Sequence, residues 1–263
     1  MYNTGCVRTA LQSFRKLQMI AKVRNLDRQF SQKYKSNFKN LLVSGGSFVH
    51  NNSEDCICAW PYYLRDIVGF TEVYDCSQAG SGVTHVFNSV INEIETTKNF
   101  NAEDTLVILM LNDFAVTDTI ATRDITRPWH NISNYDFNNK FSSLTLFKDM
   151  SKETPNSSLK KLCIDYAKQI DMDAQIYENL IKMKALRAYL NEKKFTYILL
   201  SWKKSHLPEV ADYVAQIEEL DTWTERHQMR IPNDGHPSAD AHLRWTREIL
   251  IPYLNEKKFI ETL

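Results

Sequence analysis

Short apolar runs alternate with stretches of helical spacing along most of this chain. Leu41-Leu42-Val43 follows Asn40 and stops at Ser44-Gly45-Gly46-Ser47, the pattern of a short buried strand ending in a glycine turn. Residues 58–68 read as a helix with Pro61 in its first turn, where the missing N–H has no helical partner to lose. Residues 72–76 form a second short strand, followed by Ala79-Gly80-Ser81-Gly82. Val86, Val90 and Ile94 place residues 83–97 on a helix. The clearest strand is 105–111, continuously apolar after Thr105 as in a parallel strand covered on both faces, and it ends at Asn112-Asp113.

Residues 114–157 are polar and irregular, with Pro128, Trp129 and Pro155. Leu162, Tyr166, Ile170, Tyr177, Leu180 and Leu190 give residues 158–192 helical spacing, in one helix or two. Residues 195–202 read as another strand, 208–220 as a helix and 238–254 as a last amphipathic helix. Residues 8–34 read as broken helix. This alternation predicts a three-layer α/β/α domain over residues 39–263, with a parallel sheet of about five strands and an insertion at 114–157. A helical extension at 1–38 precedes it. Parallel sheets of this kind place their sites at the carboxyl ends of the strands. Ser47, Gly80 and Asn112 follow the first, second and third strands.

Charge sharpens the picture of the extension. The chain holds 32 Lys+Arg against 32 Asp+Glu, which argues against a general nucleic-acid binder. Yet the first forty residues carry nine basic side chains and one acid, Asp27. Such an arm can face an anionic partner, or pack on the domain's own acidic surface through Phe14, Leu17, Ile20 and Leu26; packing is the expectation. No run approaches a membrane span, and the N-terminus lacks the apolar stretch of a secretory signal, so the chain reads as cytoplasmic or exported by another route. The five cysteines, an odd and scattered set, read as reduced thiols. Cys56 and Cys58 have no second Cys/His pair to complete a zinc set, so no metal is expected.

Four segments carry candidate chemistry. A serine after two glycines at the end of a buried strand can expose its hydroxyl, and its amide can receive an oxyanion. Gly80 can bring a backbone N–H close to a substrate oxygen. Asn112 can donate its side-chain amide to the same developing charge. In Asn233-Asp234-Gly235-His236-Pro237-Ser238, a histidine just before a helix with a carboxylate two residues upstream can act as an oriented general base. His50, His85, His130, His206 and His227 have no partner pattern and read as surface or core residues. His242 does not share a helical face with His236 and reads as a packing residue rather than a metal ligand.

Together these segments resemble the SGNH hydrolase family, also called GDSL esterases. LLVSGGSFVHNNSEDCICAWPYYLRDI is similar to its first block, DCSQAGSGVTHVFNSV to its second, LVILMLND to its third and NDGHPSADAHLRWTREILIPYL to its last, in the family's order. The resemblance implies a flavodoxin-like SGNH fold and a serine esterase that needs no cofactor. Ser47 would be the nucleophile, His236 the base and Asp234 its orienting acid, with the Ser47 N–H, the Gly80 N–H and the Asn112 amide as oxyanion hole. The implied reaction removes small acyl groups such as acetyl from a carbohydrate or similar alcohol, so the partner is a small-molecule or glycan ester. An O-acyltransferase on the same site and a non-catalytic binding protein are the alternatives. Gly46 stands where the family usually has Asp, and Met110 where it often has Gly. The family's acid often lies three residues before the histidine, where this chain has Asn233, so Asp234, or a Ser-His dyad helped by a carbonyl, completes the set. Nothing in the residues sets the oligomeric state.

Overall fold

The structure, a computed structural model, describes residues 34–49, 59–78, 81–97, 100–111, 117–120, 141–144, 172–202, 213–231 and 236–263. Its strands are β1 (Tyr34–Ser36), β2 (Asn40–Gly45), β3 (Glu72–Asp75), β4 (Thr105–Leu111), β5 (Thr117–Ile120), β6 (Phe141–Leu144), β7 (Thr196–Ser201) and β8 (Ile260–Thr262). Its helices are α1 (Trp60–Val68), α2 (Val83–Thr96), α3 (Met172–Glu192), α4 (Leu220–Arg226), α5 (Ala239–Trp245) and α6 (Ile251–Glu256). Four strands form the central parallel sheet in the order β3-β2-β4-β7. The chain leaves β2 for β3 on one side, then returns to place β4 on the other. The strand order therefore reverses between β2 and β4, and in sheets of this kind sites lie at the strands' carboxyl ends beside such a reversal.

The pleat divides the strand residues between two cores. On one face Leu41, Val43, Leu106, Ile108, Met110, Ile198 and Leu200 pack against α1, α4, α5 and α6, through side chains such as Trp60, Trp223, Trp245 and Leu254. On the other, Leu42, Val107, Leu109, Leu111 and Leu199 meet Val83, Val86 and Val90 of α2 and Met183, Leu186 and Leu190 of α3. All seven residues of β4 are buried, as its unbroken apolar run requires. The expected α/β architecture with a parallel sheet is present.

Several local expectations change. The central sheet has four strands among the described residues, not five. Its β7 side is met by an irregular segment instead: Ala215 N–H donates to Leu199 O at 2.7 Å, and Asp221 N–H to Trp202 O at 2.9 Å. That pairing holds residues 213–219 out of a helix, so α4 starts at Leu220, where a helix over 208–220 was expected to end. The last strand, β8, pairs antiparallel with β1 in a separate two-stranded sheet. Residues 34–36 are thus strand, where the sequence suggested the end of a helical extension. Asn37 reinforces the pairing by donating its side-chain amide to Lys258 O at 2.9 Å, and Phe38 sets its ring edge-on to Phe259. Residues 1–33 lie outside the described ones. Within the stretch read as irregular, β5 and β6 pair antiparallel.

Helix boundaries follow local chemistry. Pro61 opens α1, and Gly69 closes it at φ 86°, a left-handed backbone that glycine adopts without strain. Ser238 caps α5 by accepting from Ala241 N–H at 3.2 Å. Between α5 and α6 one wide turn, Thr246–Leu250, intervenes, in which Ile251 N–H reaches back to Thr246 O. Pro252 follows directly and has no N–H to continue the ordinary ladder, which accounts for the slip. No helix among the described residues is long and apolar enough to cross a membrane.

Candidate active site

The end of β2 is built by close approach. A Cβ on Gly45 would lie 2.5 Å from Val49 Cγ2 and 2.6 Å from Met110 O, so only glycine fits beside β4 here. Gly46 O accepts from Val49 N–H at 2.9 Å, which closes the turn that carries Ser47. Gly46 is buried and Ser47 half-buried. The absence of an Asp at position 46 thus leaves the turn formed.

The segment after β3 is tied to this turn. Cys76 N–H donates to Val43 O at 2.9 Å, and Gln78 N–H to Gly45 O at 3.0 Å. Ser81 Oγ donates to the same Gly45 carbonyl at 3.0 Å. Ser44 Oγ shares a hydrogen bond with Ser89 Oγ of α2 at 2.9 Å, while the His85 ring meets Cys76 O at 2.9 Å. Gly80 lies outside the described residues, but both its flanks are anchored on Gly45. Asn112 also lies outside them, directly after Leu111 at the end of β4, beside β2 in the sheet.

His236 arrives from the far end of the chain. Ile231 N–H donates to His236 O at 2.8 Å and Ser238 N–H to Met229 O at 2.9 Å, around an antiparallel bridge between Arg230 and Pro237. Asn233 and Asp234 lie between the two, both outside the described residues. The His236 ring centroid stands 5.4 Å from that of Phe48, the residue after Ser47. Phe48 in turn leans on Trp202, at 4.4 Å between centroids, just beyond β7. The segments following β2 and β7 and the residue His236 therefore meet around the Phe48 ring. Phe48 and Trp202 were not singled out from the sequence, because their pairing joins positions far apart in the chain and no local spacing marks it.

The remaining histidines described are structural. His85 is buried at the β3–α2 junction. His227 stacks on Trp223 at 4.0 Å and its Nδ1 meets Trp223 O at 2.8 Å. His242 is buried on α5, as a packing residue would be; burial, with the nearby His236 as a lesser cause, pushes its pKa down to about 3. Cys76 is a free thiol whose pKa is raised by burial and by the neighbouring Glu93 and Asp75 carboxylates. Among the described residues no group of three His, Cys, Asp or Glu side chains is placed to hold a metal ion.

No family model matches the chain, and no curated protein does. Among solved structures, a member of the lipolytic protein G-D-S-L family from Veillonella parvula matches over 80% of this chain and 96% of its own, at 12% identity and a TM-score of 0.33.

Proposed function

We propose that this chain is a serine carboxylic-ester hydrolase that removes small acyl groups, acetyl foremost, from a carbohydrate or similar alcohol. The observation that supports it most is the contact of the Ser47 turn with His236 through Phe48, at the end of the sheet where the strand order reverses between β2 and β4. In this reading Ser47 Oγ attacks the ester carbonyl while His236 takes its proton. His236 then returns that proton to the leaving alcohol, and water, deprotonated by His236, cleaves the acyl-enzyme to free acid. Asp234 orients the imidazole and balances its positive charge. The oxyanion is met by the N–H groups of Ser47 and Gly80 and by the Asn112 side chain, each such donor contributing about 3 kcal/mol to the transition state.

Ser47→Ala is expected to reduce turnover of 4-nitrophenyl acetate by about 10⁴-fold or more, with the circular dichroism spectrum unchanged. His236→Ala should fall to a similar level, and the double variant no further, because nucleophile and base act as one unit. A fluorophosphonate should label wild type at Ser47 alone. Failure to label Ser47, together with no turnover of any short ester, would overturn the reading.

A further inference from the structure

Asp221 lies in the first turn of α4 with its side chain 11% exposed, and the Arg230 guanidinium lies 2.5 Å from its carboxylate and 3.8 Å from that of the exposed Glu225. A carboxylate so placed is held where its cation stands, since removing the cation leaves the largely buried Asp221 charge without compensation. Each partner is also tied to one half of the candidate site. The Asp221 N–H donates to Trp202 O, and the Trp202 ring backs Phe48 next to Ser47. Arg230 forms the bridge with Pro237, whose neighbour His236 accepts from Ile231 N–H. The path closes on itself where Phe48 meets the His236 ring.

We propose that the Asp221–Arg230 ion pair is a positioning strut that fixes the distance between the Ser47 turn and the His236 ring. The proposal rests on the hydrolase reading for its catalytic consequence. Neither residue touches the reacting atoms; the pair sets where the bridge, and therefore the imidazole, stands. Charge and shape both matter, because a guanidinium meets a carboxylate in a fixed planar geometry that an ammonium does not reproduce.

The test uses the full chain with Asp221→Asn, which keeps the side chain's shape, and Arg230→Lys, which keeps its charge. With active sites titrated by fluorophosphonate, Asp221→Asn should lower kcat on 4-nitrophenyl acetate by about tenfold to a hundredfold, with KM within about twofold of wild type. Labelling of Ser47 should slow by a similar factor, and Arg230→Lys should fall between the two. The His236 ring resonance should shift in both variants. A lowered melting temperature with unchanged kcat and labelling rate would make the pair merely structural and overturn the strut. So would an unmoved His236 resonance, whatever the activity. If Asp221→Asn does not fold, Arg230→Lys carries the same readouts. A wild type that fluorophosphonate does not label overturns the hydrolase reading, and the strut's catalytic role with it.

Discussion

Ser47 sits on a turn fixed mainly by close backbone packing, whereas His236 sits on a segment held by hydrogen bonds, an ion pair and a ring contact. The turn is defined by Gly45, which lies against the Met110 carbonyl, and by the Val49-to-Gly46 hydrogen bond. Steric exclusion does most of that work: the backbone has one place to go. Around the histidine loop the restraints are instead a two-residue bridge, an ion pair and an aromatic contact. The same loop leads into α5, which buries a histidine. One half of the site is therefore set by packing that is indifferent to pH, while the other leads into a helix whose buried His242 responds to it.

The largest expected effect within this comparison is on the serine side. Gly45→Ala must push its methyl into Val49 and the β4 backbone, and backbone cannot yield as a flexible side chain can. A loss of about 3 kcal/mol in urea unfolding is expected, with activity lost alongside. A change below 0.5 kcal/mol would show that the turn is looser than its contacts imply.

The histidine side should reveal itself by pH. An unfolded histidine titrates near 6.5, whereas His242 in the fold binds its proton only at about 3. Between those values the unfolded chain takes up a proton that the folded one refuses. Stability is therefore unaffected by this group above pH 6.5 and falls as pH drops below it, by about 1.4 kcal/mol per unit. From pH 6.5 to 5 the loss is about 2 kcal/mol, read from urea midpoints. His242→Leu should remove that part of the slope, and an identical slope in the variant would overturn the assignment.

The smallest effect sharpens how the loop joins its helix. Ser238 Oγ caps α5 directly after the His236-Pro237 pair. Ser238→Ala should cost about 1 kcal/mol of stability. Thermal unfolding would measure this, with little change in KM expected because the cap lies on the helix side of the bridge.

The elements most legible in the sequence were those whose environment is uniform along their length. β4 is buried on both faces, so its run of apolar residues announced it with its boundaries; β2 and its glycine turn followed for the same reason. Pro61 and Ser238 marked their helix starts because capping is a local matter. The described part of the candidate site was legible to the same degree. Ser47 after two glycines and His236 before a capped helix are short motifs with a direct chemical reading. Gly80, Asn112 and Asp234 fall outside the described residues, and the roles of all five residues, Ser47 and His236 included, stand as proposals.

What only the tertiary structure decided are the pairings between distant segments. Nothing near Tyr34 signals that it will pair with Thr262, and no spacing marks Asp221 for Arg230 or Phe48 for Trp202. Residues 213–219 lost their expected helix because β7 offered Leu199 O to Ala215, a partner invisible from within the segment. The sequence by itself determined the alternating strands and helices, the glycine turn and the chemical character of Ser47 and His236, because periodicity, sterics and capping act over a few residues. The order β3-β2-β4-β7, the pairing of β1 with β8 and the meeting of the serine turn with His236 were decided only in three dimensions, where packing and hydrogen bonds join residues that the chain itself keeps far apart.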